Sequence, residues 1–141
     1  MKKTHIYITL KKNQLSHVHK LIFVSNNSFI VESFDSRYEL FPDLHLPLTK
    51  LEDAIETFIL QILNDEFFNK WTDFRSYTYD SSSTEFAIHE FDPLSDRIEQ
   101  LKQNIAFLFL NKENPLRLDK MFSEKRVAQA IVNVFNKFNK L

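Results

Sequence analysis

Not one of the 141 residues is glycine. At an average usage of about 7%, roughly ten would be expected. The deficit constrains chemistry as much as backbone. A phosphate-cradling loop, a dinucleotide-binding fingerprint and a glycine-flanked nucleophile turn all need glycine at fixed places, so none of them exists here. Turns that require a left-handed residue must use asparagine, the next most tolerant choice.

Cysteine is also absent, which removes disulfides, thiol nucleophiles and cysteine-based zinc sites. The apolar run after Lys2 and Lys3 is short and ends at Lys11-Lys12, too little for a signal peptide or a membrane span. The expected setting is therefore a reducing one, the cytoplasm. A hydrophobic fraction of 43% and a charged fraction of 26% are those of a globular chain. At this length the chain reads as a single domain over residues 1–141, able to bury a core without staples.

The segment from Pro47 to Trp71 organises the rest. Thr49 and Glu52 have the spacing of a capping box. Behind them Leu51, Ala54, Ile55, Phe58, Ile59 and Ile62 recur at helical spacing, while Glu52, Asp53, Glu56 and Gln61 point elsewhere. Burying each large side chain is worth about 1.5–3 kcal/mol, so this stripe needs a sheet or other helices to lie on. Phe67, Phe68 and Trp71 fall off the stripe. Either the helix ends near Asn64-Asp65 and the chain turns, or one helix carries a second, aromatic face. Ending is the simpler reading.

Elsewhere the periodicity alternates. Ile6, Ile8 and Leu10 against His5, Tyr7 and Thr9 is the pattern of a half-buried strand. Val18–Ser25 and Ser28–Phe34 flank Asn26-Asn27, a two-residue hairpin loop. That loop sets Val24 opposite Phe29 and Ile22 opposite Val31 on one face, with Phe23 opposite Ile30 and Leu21 opposite Glu32 on the other. Tyr38–Phe41 extends the sheet, and Pro42 and Pro47 bracket a connecting loop. Phe74–Tyr79 and Thr84–Phe91 form a second hairpin around Asp80 and Ser81-Ser82-Ser83. Asp92-Pro93 opens a helix with the seam Leu94, Ile98, Leu101, Ile105 and Leu108. Ser123 caps a last helix along Val127, Ile131, Val134, Phe138 and Leu141, whose other face is amide-rich: Gln129, Asn133, Asn136 and Asn139. The sum is an α+β fold: an antiparallel sheet of about four to five strands, an N-terminal meander plus a second hairpin, packed with three helices.

Charge is segregated along the chain. Residues 1–31 hold five lysines and no acid, residues 32–100 sixteen acids against five bases, and residues 101–141 eight bases against three acids. Folding can intermix these blocks or raise an acidic face beside a basic rim.

Three groupings carry the residue types of chemistry. His17 and His19 lie two apart on a strand and share a face, but zinc needs a third ligand and His5 sits at the far end of its strand. Read plainly, they are two strand-edge histidines in water. Asp65, Glu66, Asp73, Asp80, Glu85, Glu90 and Asp92 resemble the carboxylates of a magnesium-dependent nuclease. The lysine expected two residues beyond the second acid is missing, however, since Ala87 and Asp92 occupy those places. His89, Glu90 and the serine run lack any turn that would fix a nucleophile. No catalytic residue, cofactor or metal is assigned.

By elimination the expected function is non-enzymatic binding to another protein. The specific form is an inhibitor or immunity protein that neutralises a basic toxin, such as a nuclease, through an acidic surface. Asp65, Glu66, Trp71, Asp73 and Glu56 are the expected partner-binding residues. A metal-dependent hydrolase or nuclease using Asp, Glu and His is the first alternative. A nucleic-acid-binding module, using the basic ends and their aromatic neighbours, is the second.

Overall fold

The computed structural model describes residues 4–35, 44–80, 89–90, 96–110 and 122–139. Six antiparallel strands, β1 (Thr4–Lys12), β2 (Leu15–Ser25), β3 (Ser28–Asp35), β4 (Leu44–Leu48), β5 (Asp73–Asp80) and the two-residue β6 (His89–Glu90), form one sheet in the order β4-β3-β2-β1-β5-β6. Three helices, α1 (Leu51–Leu63), α2 (Arg97–Leu110) and α3 (Glu124–Asn139), complete the α+β architecture. α1 lies over β2 and β3, α2 over β5, and α3 packs on both helices.

One face of the sheet makes the core. Ile6, Ile8, Leu10, Leu21, Phe23, Phe29, Val31 and Phe74 meet Ala54, Ile55, Phe58, Ile59 and Ile62 of α1, Leu101, Ile105 and Leu108 of α2, and Val127, Ile131 and Val134 of α3. The α1 stripe read from spacing is buried throughout, as are Leu101, Ile105 and Leu108 of α2 and Val127, Ile131 and Val134 of α3. Ile98 and Phe138 are partly buried, and Leu94 and Leu141 lie outside the described residues. On the outer face the Lys20 ammonium sits over the rings of Tyr7 and Phe34, and Glu32 accepts from His45 at 2.8 Å.

The register of the β2–β3 hairpin differs from the expected one. Ser25 pairs Ser28 across Asn26-Asn27, but Phe23 then pairs Phe29, Ile22 pairs Ile30 and Leu21 pairs Val31, with a shift between Phe23 and Ser25. Val24 is the extra residue of a bulge, and one inserted residue moves every preceding side chain to the other face. Leu21 and Phe23 thereby join Phe29 and Val31 in the core, and His17 and His19 turn inward with them.

Leu44–Leu48 is likewise a strand rather than loop; Pro47 pairs Ile30 on the edge strand, where a missing N–H is tolerated. The capping box does not form. Lys50 is the N-cap of α1, without a side-chain cap bond, and Glu52 instead takes both Nε and Nη2 of Arg126. The simpler ending of that helix holds: α1 stops at Leu63 with Asn64 as C-cap, and a 3₁₀ turn, Glu66–Asn69, follows. Asp96 caps α2 by accepting from the Glu99 N–H, and Ser123 caps α3 through the Arg126 N–H. The proposed cap at Asp92, the extension Tyr38–Phe41 and the serine loop 81–83 lie outside the described residues. Among the described residues Asn13 alone has positive φ, at 59°, the substitution of asparagine for glycine that the composition requires.

Candidate functional site

The bulge at Val24 and the alternation of β2 carry His17 and His19 onto the core face, where the register sets His17 opposite Asp35 and His19 opposite Ser33. Both histidines are buried, which overturns the solvent-exposed reading. The end of α1 then delivers a carboxylate to them. Asp65 is the N-cap of the 3₁₀ turn, and its Oδ1 accepts from the Phe67 N–H at 2.8 Å. The same oxygen lies 2.8 Å from His17 Nδ1, and Oδ2 lies 2.7 Å from His19 Nε2. His19 Nδ1 is 2.8 Å from Ser33 Oγ. The His17 ring lies parallel to the Phe67 ring, with centroids 3.7 Å apart.

The proton positions follow from the partners. A carboxylate only accepts, so both imidazole nitrogens facing Asp65 carry hydrogen. His19 Nδ1 is left as an acceptor for the Ser33 hydroxyl. Burial holds the His19 pKa below its ordinary value, against the hydrogen bond and charge of Asp65, which act to raise it; the nearby His17 lowers it further. Burial acts to raise the Asp65 pKa, yet hydrogen bonds from His19, the Phe67 amide and His17 together bring it below the ordinary value. A lowered imidazole beside a lowered carboxylate describes a neutral ring donating to an ion.

Ser33, His19 and Asp65 thus stand in the order of a nucleophile, its base and an orienting carboxylate. They are 0%, 1% and 9% exposed. A serine oxygen sealed inside the core cannot meet a substrate, so the arrangement serves as a buried tie between β2, β3 and the turn after α1. One nitrogen of each ring, His17 Nδ1 and His19 Nε2, is directed at a carboxylate oxygen of Asp65. Among the described residues, no group of three or more His, Asp or Glu is disposed to hold a metal ion. His5 is on the opposite face, stacked on Tyr7.

The residues expected to contact a partner separate. Asp65 is inside this network. Trp71 is 3% exposed, packed against Phe68 and Phe74 with the Arg97 guanidinium over its ring, so the aromatic residues after α1 belong to the core. Glu66 is exposed, Asp73 is half-exposed beside Arg75 Nε at 3.2 Å, and Glu56 is held by Lys137 Nζ at 3.2 Å. Glu85 and Asp92, with the side chains of Asp80, His89 and Glu90, lie outside the described residues.

An open groove of about 450 Å³ runs between α1 and α3. Glu52, Asp53 and Glu56 form one wall, and Ala130, Asn133, Val134, Asn136 and Lys137 the other. Neither the Asp65 network nor this groove was legible as a site. The first depends on a bulge with no glycine to mark it, the second on which helix face meets which.

Compared with protein-family models, curated proteins and solved structures, the chain matches none.

Proposed function

We propose that the protein acts in the cytoplasm by binding another protein, as an inhibitor or immunity protein that neutralises a basic toxin such as a nuclease. The observation that supports this reading is the α1–α3 groove, whose α1 wall is a row of carboxylates facing Asn133, Asn136 and a single cation, Lys137. Glu52 and Glu56 are engaged by Arg126 and Lys137. Exposed pairs of this kind are worth only about 0–1 kcal/mol, so an incoming arginine or lysine can exchange for the internal cation at little cost. Asp53 in the groove wall is exposed, and so is Glu66 beyond the end of α1. Carboxylates at a rim speed encounter with a basic partner more than they slow its departure.

The test is kinetic. With a basic partner captured from the native host, Asp53→Asn with Glu56→Gln and Glu66→Gln should slow association and flatten its salt dependence, leaving dissociation nearly unchanged. Association indifferent to both salt and these carboxylates would place the interface elsewhere and remove the acidic-surface reading.

A further inference from the structure

We infer that the buried His17–Asp65–His19 cluster is a proton-gated latch: protonating His19 releases the 3₁₀ turn Glu66–Asn69 from the end of the sheet while the remaining fold stays intact. The geometry makes one side chain the polar link between β2 and the 3₁₀ turn. Asp65 receives two imidazoles of β2 and the Phe67 amide of the turn; just beyond the turn the corner is tied to the sheet again at Thr72, whose N–H and hydroxyl both donate to the Lys11 carbonyl. Phe67 is stacked on His17 and must move with it.

Every polar atom of the His19 ring is in use, Nε2 to Asp65 and Nδ1 to Ser33. A proton added at Nδ1 turns an acceptor into a donor against a hydroxyl that was donating, and places a cation where water cannot reach. Of the groups facing the cluster, Asp65 alone offsets that charge, and it is already shared with His17 and Phe67. Ser33 and Asp35 come from β3, with Asp35 opposite His17 rather than His19. On the same face of β1, Leu10 is followed by Lys12, itself a cation. Glu66 and Lys70 are exposed at the rim. The core side of α1, Ile55, Phe58, Ile59 and Ile62, is apolar. Opening the corner lets water reach His19. The segments on either side, α1 and β5, keep their own core contacts, as local opening units do.

Trp71 is the sole tryptophan and packs on Phe68 of the same turn, so its emission reports the corner. On acidification Trp71 emission should change in a step below pH 6.5, the ordinary histidine value, while far-UV circular dichroism is unchanged. In the same range the amide-exchange protection of Phe67 should fall about tenfold per pH unit, the slope of a single linked proton, with α1 and β3 still protected. His19→Gln keeps a donor for Asp65 and an acceptor for Ser33 but does not titrate, so it should abolish the step. If that variant does not fold, following the His19 ring by NMR in the unaltered protein decides the matter. Its protonation must coincide with the loss of Phe67 protection. Emission and circular dichroism moving as one transition, a step unchanged in His19→Gln, or His19 titrating apart from Phe67 exchange would each overturn the latch.

Discussion

Phe58 and Trp71 are both large aromatic side chains with no access to water, at 0% and 3% exposure, and they answer different expectations. Phe58 faces the sheet from the middle of the α1 stripe, as its helical spacing requires. Trp71 falls off that stripe and in sequence resembles a partner's anchor, yet it fills the corner between Phe68, Phe74 and Arg97. Truncating either to alanine removes a buried ring and leaves a cavity. Each should therefore cost roughly 3–5 kcal/mol in urea or guanidinium unfolding. A loss below about 1 kcal/mol for Phe58→Ala would refute the central position of α1. For Trp71→Ala, full stability combined with faster partner dissociation would return the ring to the surface.

At the scale of elements, the main lesson lies in where charge goes on folding. The acidic first half of α1 and the basic α3 are far apart in sequence, but they lie side by side. Arg126 grips Glu52 in two bonds of 2.7 and 3.0 Å, and the Glu52 carboxyl is held below its ordinary range first by that hydrogen bond. Both side chains are about half exposed, so solvent screens the pair. Arg126→Ala should lower stability by less than about 1 kcal/mol at moderate salt, and less again at high salt. A larger loss in denaturant titration, insensitive to salt, would mean that the guanidinium acts through its packing over Phe122 instead.

For the whole molecule, the buried polar network makes acid the weak side of the stability curve. With its folded pKa lowered, His19 is neutral in both states above about pH 6.5 and contributes no slope there. Below that value the unfolded chain takes a proton that the folded chain refuses. Stability then falls by about 1.4 kcal/mol per pH unit until the folded pKa is reached. Asp65, lowered from its ordinary 3.8, contributes stability that is present above that value and lost as pH falls through the folded one. Denaturant midpoints measured from pH 8 to 4.5 should be flat near neutrality and then decline. A midpoint that rose on mild acidification would show a charged His19 and a different network.

Sequence by itself determined what depends on neighbours along the chain. Helical spacing placed the stripes of α1, α2 and α3, alternation placed β1, and the missing glycine both excluded three families of chemistry and left the left-handed position to an asparagine. That among the described residues it is Asn13, not Asn26 or Asn27 of the hairpin, only the structure shows. Tertiary structure decided what depends on a single residue of register or on distant partners. The extra residue at Val24 has no signature in a glycine-free strand, and periodicity of two converts one residue of slip into the opposite face. That slip puts His17 and His19 in the core rather than in water. Asp65 reaches them across more than forty positions of chain only because α1 ends at Leu63 and the 3₁₀ turn folds back. Local propensity carries no record of which carboxylate will meet which imidazole; the packing of α1 against β2 and β3 settles it.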